Sequence, residues 1–405
     1  MAEELKNYVI PLNSTEWSDS TVLTMSPQTP VTVGKSITGL SHVDVFNGTK
    51  AWGDNVIFSG NSASWGGAIR NQSGTIIIGD TATFANNTAS DGGAIDNGGV
   101  FTIGNEATFS GNKADNGSGG AIFNSKGGDY ADIGNNAKFE SNSASANGGA
   151  ICNYINLTIR DNAVFSGNIA GGEGGAISNS SRNVTVIIGK NSSFTSNQAS
   201  LGGAIYSEGN VSIGDTATYA NNSVSFSVGG AIYNKHGSFE IGDNTTFANN
   251  SVSSSTGGAI YNNREFIIGS GVVFSGNTAE NGSGGAIGNT GTLVIGNNAV
   301  FKNNSASNSG GAVYNDGTIT FGSAFFVTAS DTIYNNGIII VNENVSFAAV
   351  VTLNAESSLQ NNGNIDLNIT KRTSDSEALI SDWSRISGDG TLSITIAAVQ
   401  ADGTY

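Results

Sequence analysis

Short alternating runs of apolar and polar residues, separated by Gly- and Asn-rich turns, recur along this chain in a fixed order. One run reads apolar-x-apolar: Ile76/Ile78, Phe101/Ile103, Leu157/Ile159, Val211/Ile213, Phe239/Ile241, Phe266/Ile268, Leu293/Ile295 and Ile319/Phe321. The residue between each pair varies freely, from Ile77 and Thr102 to Ser212 and Glu240. A period of two with one constant apolar face predicts a strand with one side in a core and the other in water. A second run carries one aromatic, at Phe58, Phe84, Phe109, Phe139, Phe165, Phe194, Tyr219, Phe247, Phe274 and Phe301. Three residues after each ring comes an asparagine, as in Asn61, Asn87, Asn112 and Asn142. The residue before the ring varies (Thr83, Lys138, Val164), so the ring points inward. The asparagine marks a turn, where its side chain bonds main chain and tolerates left-handed geometry. In-register stacking would also let these amides bond one another.

A third run is Gly-Gly-Ala-Ile/Val-x. Its first glycine falls at 66, 92, 119, 148, 174, 202, 229, 257, 284 and 310, so successive copies are 26 to 29 residues apart. A period in this range predicts a solenoid, in which each repeat buries its apolar face only against its neighbours. The expected fold is all-β: a single-stranded, right-handed parallel β-helix with three strands per ~27-residue rung. The paired glycines, Gly66/Gly67 and Gly119/Gly120 among them, are expected at a tight corner with positive φ. Residues 1–57 lack the full signature and hold all three prolines, and read as an N-terminal cap with irregular first rungs. Residues 58–315 carry the ten repeats. Residues 316–405 continue the coil without the Gly-Gly element, with strands at IIIV (338–341) and IDLNI (365–369) and a charged bulge at TKRTSDSE (370–377).

Composition narrows the function. Only 12% of residues are charged and the net charge is −16, which opposes nucleic acid and anionic lipid surfaces as partners. The single cysteine, Cys152, excludes an internal disulfide, and His42 and His236 are too far apart to build a metal centre with it. No run of apolar residues is long enough for a membrane helix, and MAEELKNYVIPLN lacks the pattern of a secretion signal. The chain reads either as a cytosolic protein or as a trimmed segment of an exported one. Low charge, a single cysteine and repetitive polar turns favour the segment, with no cofactor and no direct membrane insertion expected.

Candidate chemistry is sparse. The residue after Gly-Gly-Ala-Ile/Val is Arg70, Asp96, Phe123, Cys152, Ser178, Tyr206, Tyr233, Tyr261, Gly288 or Tyr314. Such variety places this column on the outer face, which would leave Cys152 open to solvent. It would also make Tyr206, Tyr233, Tyr261 and Tyr314 an exposed aromatic strip suited to sugar rings or protein partners. Stacked tyrosines that merely stabilise the sheet are the plainer alternative. Catalytic β-helices need acid pairs on adjacent rungs. Here Asp132, Glu140 and Glu173 belong to different faces, and Asp80, Asp91, Asp96, Glu106 and Asp115 form a loose acidic region. Gly79-Asp80 and Gly104-Asn105 exchange Asp for Asn, which points to turns and away from calcium. Thr81/Thr83 and Thr216/Thr218 hint at an ice-binding array that the intervening rungs break.

The alternation of FSGN or FANN with GGAI or GGAV, over residues 58–315, resembles the polymorphic membrane proteins of chlamydiae and related autotransporter passengers. That resemblance implies type V export, display on a bacterial surface and adhesion to a host-cell protein or glycan receptor, by a monomeric rod without catalysis. A polysaccharide lyase or hydrolase is the alternative. Adhesion in the family is tied to the FxxN and GGA motifs themselves. The residue pattern instead gives Phe58, Asn61, Gly66, Gly67, Phe84, Asn87, Phe109, Asn112, Gly119 and Gly120 to the fold.

Overall fold

The computed structural model describes residues 23–24, 36–38, 43–45, 48–368 and 380–395. They form two compact units, Met1–Ala199 with Ile205–Ser212, and Ser200–Ala204 with Ile213–Tyr405. Each unit is a parallel β-solenoid, and the described residues contain no α-helix, only a short 3-10 turn at Trp383–Arg385. The charged stretch at 370–377 and most of the expected N-terminal cap lie outside the described residues.

In the first unit the rung around Phe109 shows the plan. The aromatic strand is Thr108–Ser110, the Gly-Gly-Ala strand ends in Ile122–Asn124, and the Ile strand is Tyr130–Ile133. All three pair in parallel with the next rung, like on like: Phe109 with Phe139, Ile122 with Ile151, Ile133 with Ile159. The second unit repeats this, with Phe247 on Phe274, Ile260 on Ile287 and Ile268 on Ile295. A parallel in-register ladder explains why the repeat spells the same core residue each time.

The aromatic column is fully buried, and its rings stack face to face. Phe58, Phe84, Phe109, Phe139, Phe165 and Phe194 lie 4.7–4.9 Å apart with ring planes within 6°. Tyr219, Phe247, Phe274 and Phe301 do the same in the second unit, 4.8–4.9 Å apart. The rung spacing sets this distance, and it falls inside the favourable range for aromatic pairs.

The FxxN asparagines are as dry as the rings. Asn87 is 0% exposed, and its Nδ2 donates to Asn112 Oδ1 at 2.9 Å and to the Phe58 carbonyl at 3.0 Å. Its main-chain N–H donates to the same Asn112 Oδ1 at 3.0 Å. Asn112, Asn142 and Asn168 repeat the arrangement. The left-handed residue of this turn is not the asparagine but the residue before it, such as Gly60, Asn86, Gly111 and Ser141, with φ of 54–66°. Position x of FxxN therefore carries the backbone demand, and the asparagine carries the ladder. At the far end Asp331, also buried, takes the asparagine's place and accepts from the Asn304 main chain and Nδ2 at 2.9 Å.

A second amide ladder follows the Gly-Gly-Ala strand. Asn71, Asn97, Asn124, Asn153 and Asn179 are linked Nδ2 to Oδ1 at 2.8–3.3 Å in the first unit. Asn234, Asn262, Asn289, Asn315 and Asn335 are linked at 2.7–2.9 Å in the second. Both ladders satisfy buried polar groups that would otherwise be costly.

The rung holds one strand more than expected. Within the spacer between FxxN and Gly-Gly lies a two-residue strand, as in Thr88–Ala89, Lys113–Ala114 and Ser143–Ala144, and these pair into a short fourth sheet. This sheet separates the roles of the two glycines. The first glycine has φ of 57–80° in every copy, as expected. The second does not; it is there for close approach. A Cβ on Gly120 would overlap the Gly149 carbonyl oxygen and lie 2.6 Å from the Ser143 carbonyl oxygen, in the fourth-sheet strand of the following rung. Gly67, Gly93 and Gly149 are confined in the same way. The last strand of the fourth sheet is Ser305–Ala306, and beyond it the rung shortens: Asn315 meets Asn335 only 20 residues on. The Gly-Gly pair disappears where the spacer strand it accommodates disappears. The expected strands that follow are present at Ile338–Val341 and Asn364–Asn368.

Candidate functional site

The column after Gly-Gly-Ala-Ile/Val faces away from the main core, as its variety suggests, yet much of it is covered and none of it is fully open to water. Tyr206 and Cys152 are both 0% exposed, and Tyr233 only 9%. Tyr261 and Tyr314 are half-buried. The exposed tyrosine strip and the solvent-accessible Cys152 are thus corrected: the spacer folds over this face and makes a second, narrow interior. Its trace in the sequence is faint, a single small apolar residue at the end of each spacer strand. These are Ala89, Ala114, Ala144, Ala170 and Ala199 in one unit, and Val224, Val252 and Ala279 in the other, all buried.

The tyrosine hydroxyls are tied down at the next corner. Tyr206 donates to Glu208 Oε1 at 3.0 Å, while the Tyr233 and Tyr314 hydroxyls accept from Asn263 and Asn336 at 3.0 and 3.2 Å. Tyr233 leans on Tyr261 with ring centroids 5.5 Å apart, and Tyr314 stacks on Tyr334 at 5.6 Å. Gly288 has no side chain because Tyr261 and Thr256 already fill its space. Burial pushes the Cys152 thiol up to about 12, which removes the thiolate needed for exchange or metal binding.

The expected acidic region disperses. Asp80 Oδ1 accepts the Asn105 main-chain N–H at 2.6 Å, and Asp91 Oδ1 that of Ser118 at 2.8 Å, so both are turn residues. Asp115 pairs with Lys113 at 2.6 Å. Asp96 sits within the second interior, where burial pushes its carboxyl up to about 6 against the opposing pull of Arg70, 3.8 Å away. The Arg70 guanidinium in turn lies 4.6 Å over the Trp65 ring. Asp132 points outward from the Ile strand, Glu140 outward from the aromatic strand, and Glu173 lies in a spacer, so the three remain on separate faces. Among the described residues no group of three His, Cys, Asp or Glu side chains is placed to hold a metal.

A depression of about 440 Å³ opens on the first unit, where the Ile sheet meets its corner turns. Thr102, Gly104, Asn105, Gly134 and Asn135 line it, and Asp132 and Arg160 form one wall. Arg160 donates through Nε to Asp132 Oδ1 at 3.1 Å and through Nη2 to Oδ2 at 2.8 Å. This two-pronged pair fixes the guanidinium beside the Asp132 carboxylate. Sequence reasoning set Asp132 aside and passed over Arg160. The missed signal was a broken column: the strand-closing residue is Gly at 79, 104, 134 and 189, and Arg only at 160.

Fold and surface together define a parallel β-solenoid whose conserved-looking repeat positions are architectural and whose variable positions make the surface. The chain carries the Chlamydia polymorphic membrane protein repeat at residues 55–72, 106–125, 136–154, 162–180, 191–208 and 298–316. No curated protein and no solved structure matches it. The repeats and the solenoid fit a surface protein of the autotransporter-passenger kind. No helix among the described residues is long and apolar enough to cross a membrane, which says nothing of a β-barrel.

Proposed function

We propose that this chain is the passenger part of a surface-displayed autotransporter and works as a non-catalytic adhesin. The observation that carries this reading is the set of six family repeats built into a solenoid whose recurring residues are consumed by the fold. Phe109, Asn112, Gly119 and Gly120 are all buried, so contact with a receptor falls to the variable outward side chains and the corner loops. The partner is a protein or glycan on a host or neighbouring cell. An acidic surface of net charge −16 keeps nucleic acid and anionic lipid away. The chain adheres as a monomer without catalysis. Where aspartates meet on adjacent rungs among the described residues, as Asp54 with Asp80 and Asp215 with Asp243, the earlier carboxylate accepts the later one's main-chain N–H and serves the turn.

Display of the chain on a non-adherent bacterium, fused to a heterologous outer-membrane barrel, tests the reading. Attachment to cultured epithelial cells should rise about tenfold or more over the barrel alone and fall when soluble protein is added. Attachment no greater than the barrel alone would overturn it.

A further inference from the structure

The corner that closes the Ile strand is glycine in most rungs and leaves little room for a side chain. At Gly79, Gly104 and Gly189 a Cβ would run into the aspartate of the preceding rung's turn, and at Gly134 into the preceding backbone. Arg160 occupies this position once, and its side chain is 55% exposed. A large residue at a glycine position is not what folding alone selects, since the neighbouring copies show that glycine suffices. Its guanidinium is held against Asp132, on the outer face of the adjoining strand, and the bare main chain of Gly104 and Gly134 remains as part of the lining between them.

The same strand carries Tyr130, 46% exposed, two residues before Asp132. Successive outward residues of one strand lie about 7 Å apart, so ring and ion pair share one face over about the span of a single hexose with its hydroxyls. An exposed aromatic ring, a carboxylate locked to a guanidinium, and the second Nδ2 protons of Asn105 and Asn135, whose first protons bond Asp80 and Asn105, are the elements that stack on a sugar ring and hydrogen-bond adjacent hydroxyls. The charge selects among glycans. Asp132 and Arg160 cancel, and the nearby Lys190 is paired with Asp161 at 3.9 Å, so no unbalanced positive charge is offered to a sulfate or carboxylate.

We infer that the Asp132–Arg160 depression, with Tyr130 beside it on the same strand, is a binding subsite for neutral glycans. This rests on the adhesin reading and gives it a ligand class and a place. The site binds a hexose unit with its apolar face on Tyr130 and its hydroxyls on the Asp132–Arg160 pair and the corner amides.

The test uses the full chain against immobilised neutral gluco- and galacto-oligosaccharides, with heparin and sialylated glycans alongside. The wild-type protein should retain neutral oligosaccharides. Arg160→Gly, which restores the column's usual residue, and Tyr130→Ala should each weaken retention about tenfold or more, with thermal unfolding unchanged. Should Arg160→Gly disturb folding, Tyr130→Ala, on an outward position, keeps the test decisive. Retention indifferent to both substitutions, or confined to sulfated or sialylated glycans, would overturn the inference. If cells are bound but no neutral glycan is, this subsite is wrong and the adhesin reading stands; if cells are not bound either, both fall.

Discussion

Asn112→Ala should lower the unfolding free energy by about 3–6 kcal/mol, since it leaves several buried polar groups without partners. The Asn112 side chain makes four hydrogen bonds along its ladder. Its Oδ1 accepts from the Asn87 main chain and Nδ2, and its Nδ2 donates to the Phe84 carbonyl and Asn142 Oδ1. Water cannot replace them, because Asn87, Asn112 and Asn142 are all 0% exposed. The cost exceeds that of a methyl-sized cavity, and it spreads to both neighbouring rungs because each depends on the same amide. Ser110→Ala, on the outward side of the same strand, should stay within about 0.5 kcal/mol. Guanidinium denaturation of both variants reads the difference; equal midpoints would show that the ladder contributes nothing.

Gly120→Ala is expected to cost about 3 kcal/mol or more, although it adds one methyl group. Gly120 needs no left-handed backbone, so conformational entropy is not the main issue. The new Cβ would overlap the Gly149 carbonyl and the Ser143 backbone, and neither can withdraw without breaking the ladder. The damage should be local first. Hydrogen exchange should accelerate at Lys113–Ala114 and Ser143–Ala144, where the fourth sheet closes on this glycine. Gly53→Ala, with open space around the added atom, serves as the control and should be nearly neutral. Unchanged exchange in the spacer strands of Gly120→Ala would refute the close-approach role of the second glycine.

These two residues also mark what could be read from the chain and what could not. Period-two alternation at Phe101/Ile103 and the recurrent Phe109 column placed the core correctly, because a parallel in-register coil repeats each side chain against itself. The in-register amide bonding of Asn87 and Asn112 followed from the same geometry. The fourth sheet was hidden by its length. Two residues such as Thr88–Ala89 are too few for alternation to register, and the polar spacer reads as a loop. Missing that sheet misplaced Tyr206 and Cys152, since variability identifies a face that is not the main core but does not say what covers it. The second ladder, Asn71 to Asn179, was visible as a recurrent letter without a recognised role. Arg160 escaped notice for the opposite reason: repeats draw attention to what is constant, and the candidate site lies where the pattern is broken.

In-register parallel stacking of successive copies underlies every step from core to surface, and paired cysteines probe it most directly. Thr108 and Lys138 are register partners on adjacent rungs, and Val164 is the partner one rung further. Adjacent partners lie about 4.8 Å apart, within reach of a disulfide, whereas residues two rungs apart lie about 10 Å apart and cannot be bridged. Under mild oxidation the Thr108→Cys/Lys138→Cys protein should form an internal disulfide, detected by intact mass and gel mobility. The Thr108→Cys/Val164→Cys protein should remain reduced. Cross-linking of 108 to 164, or no cross-link between 108 and 138 in the folded protein, would contradict the stacked solenoid and everything built on it.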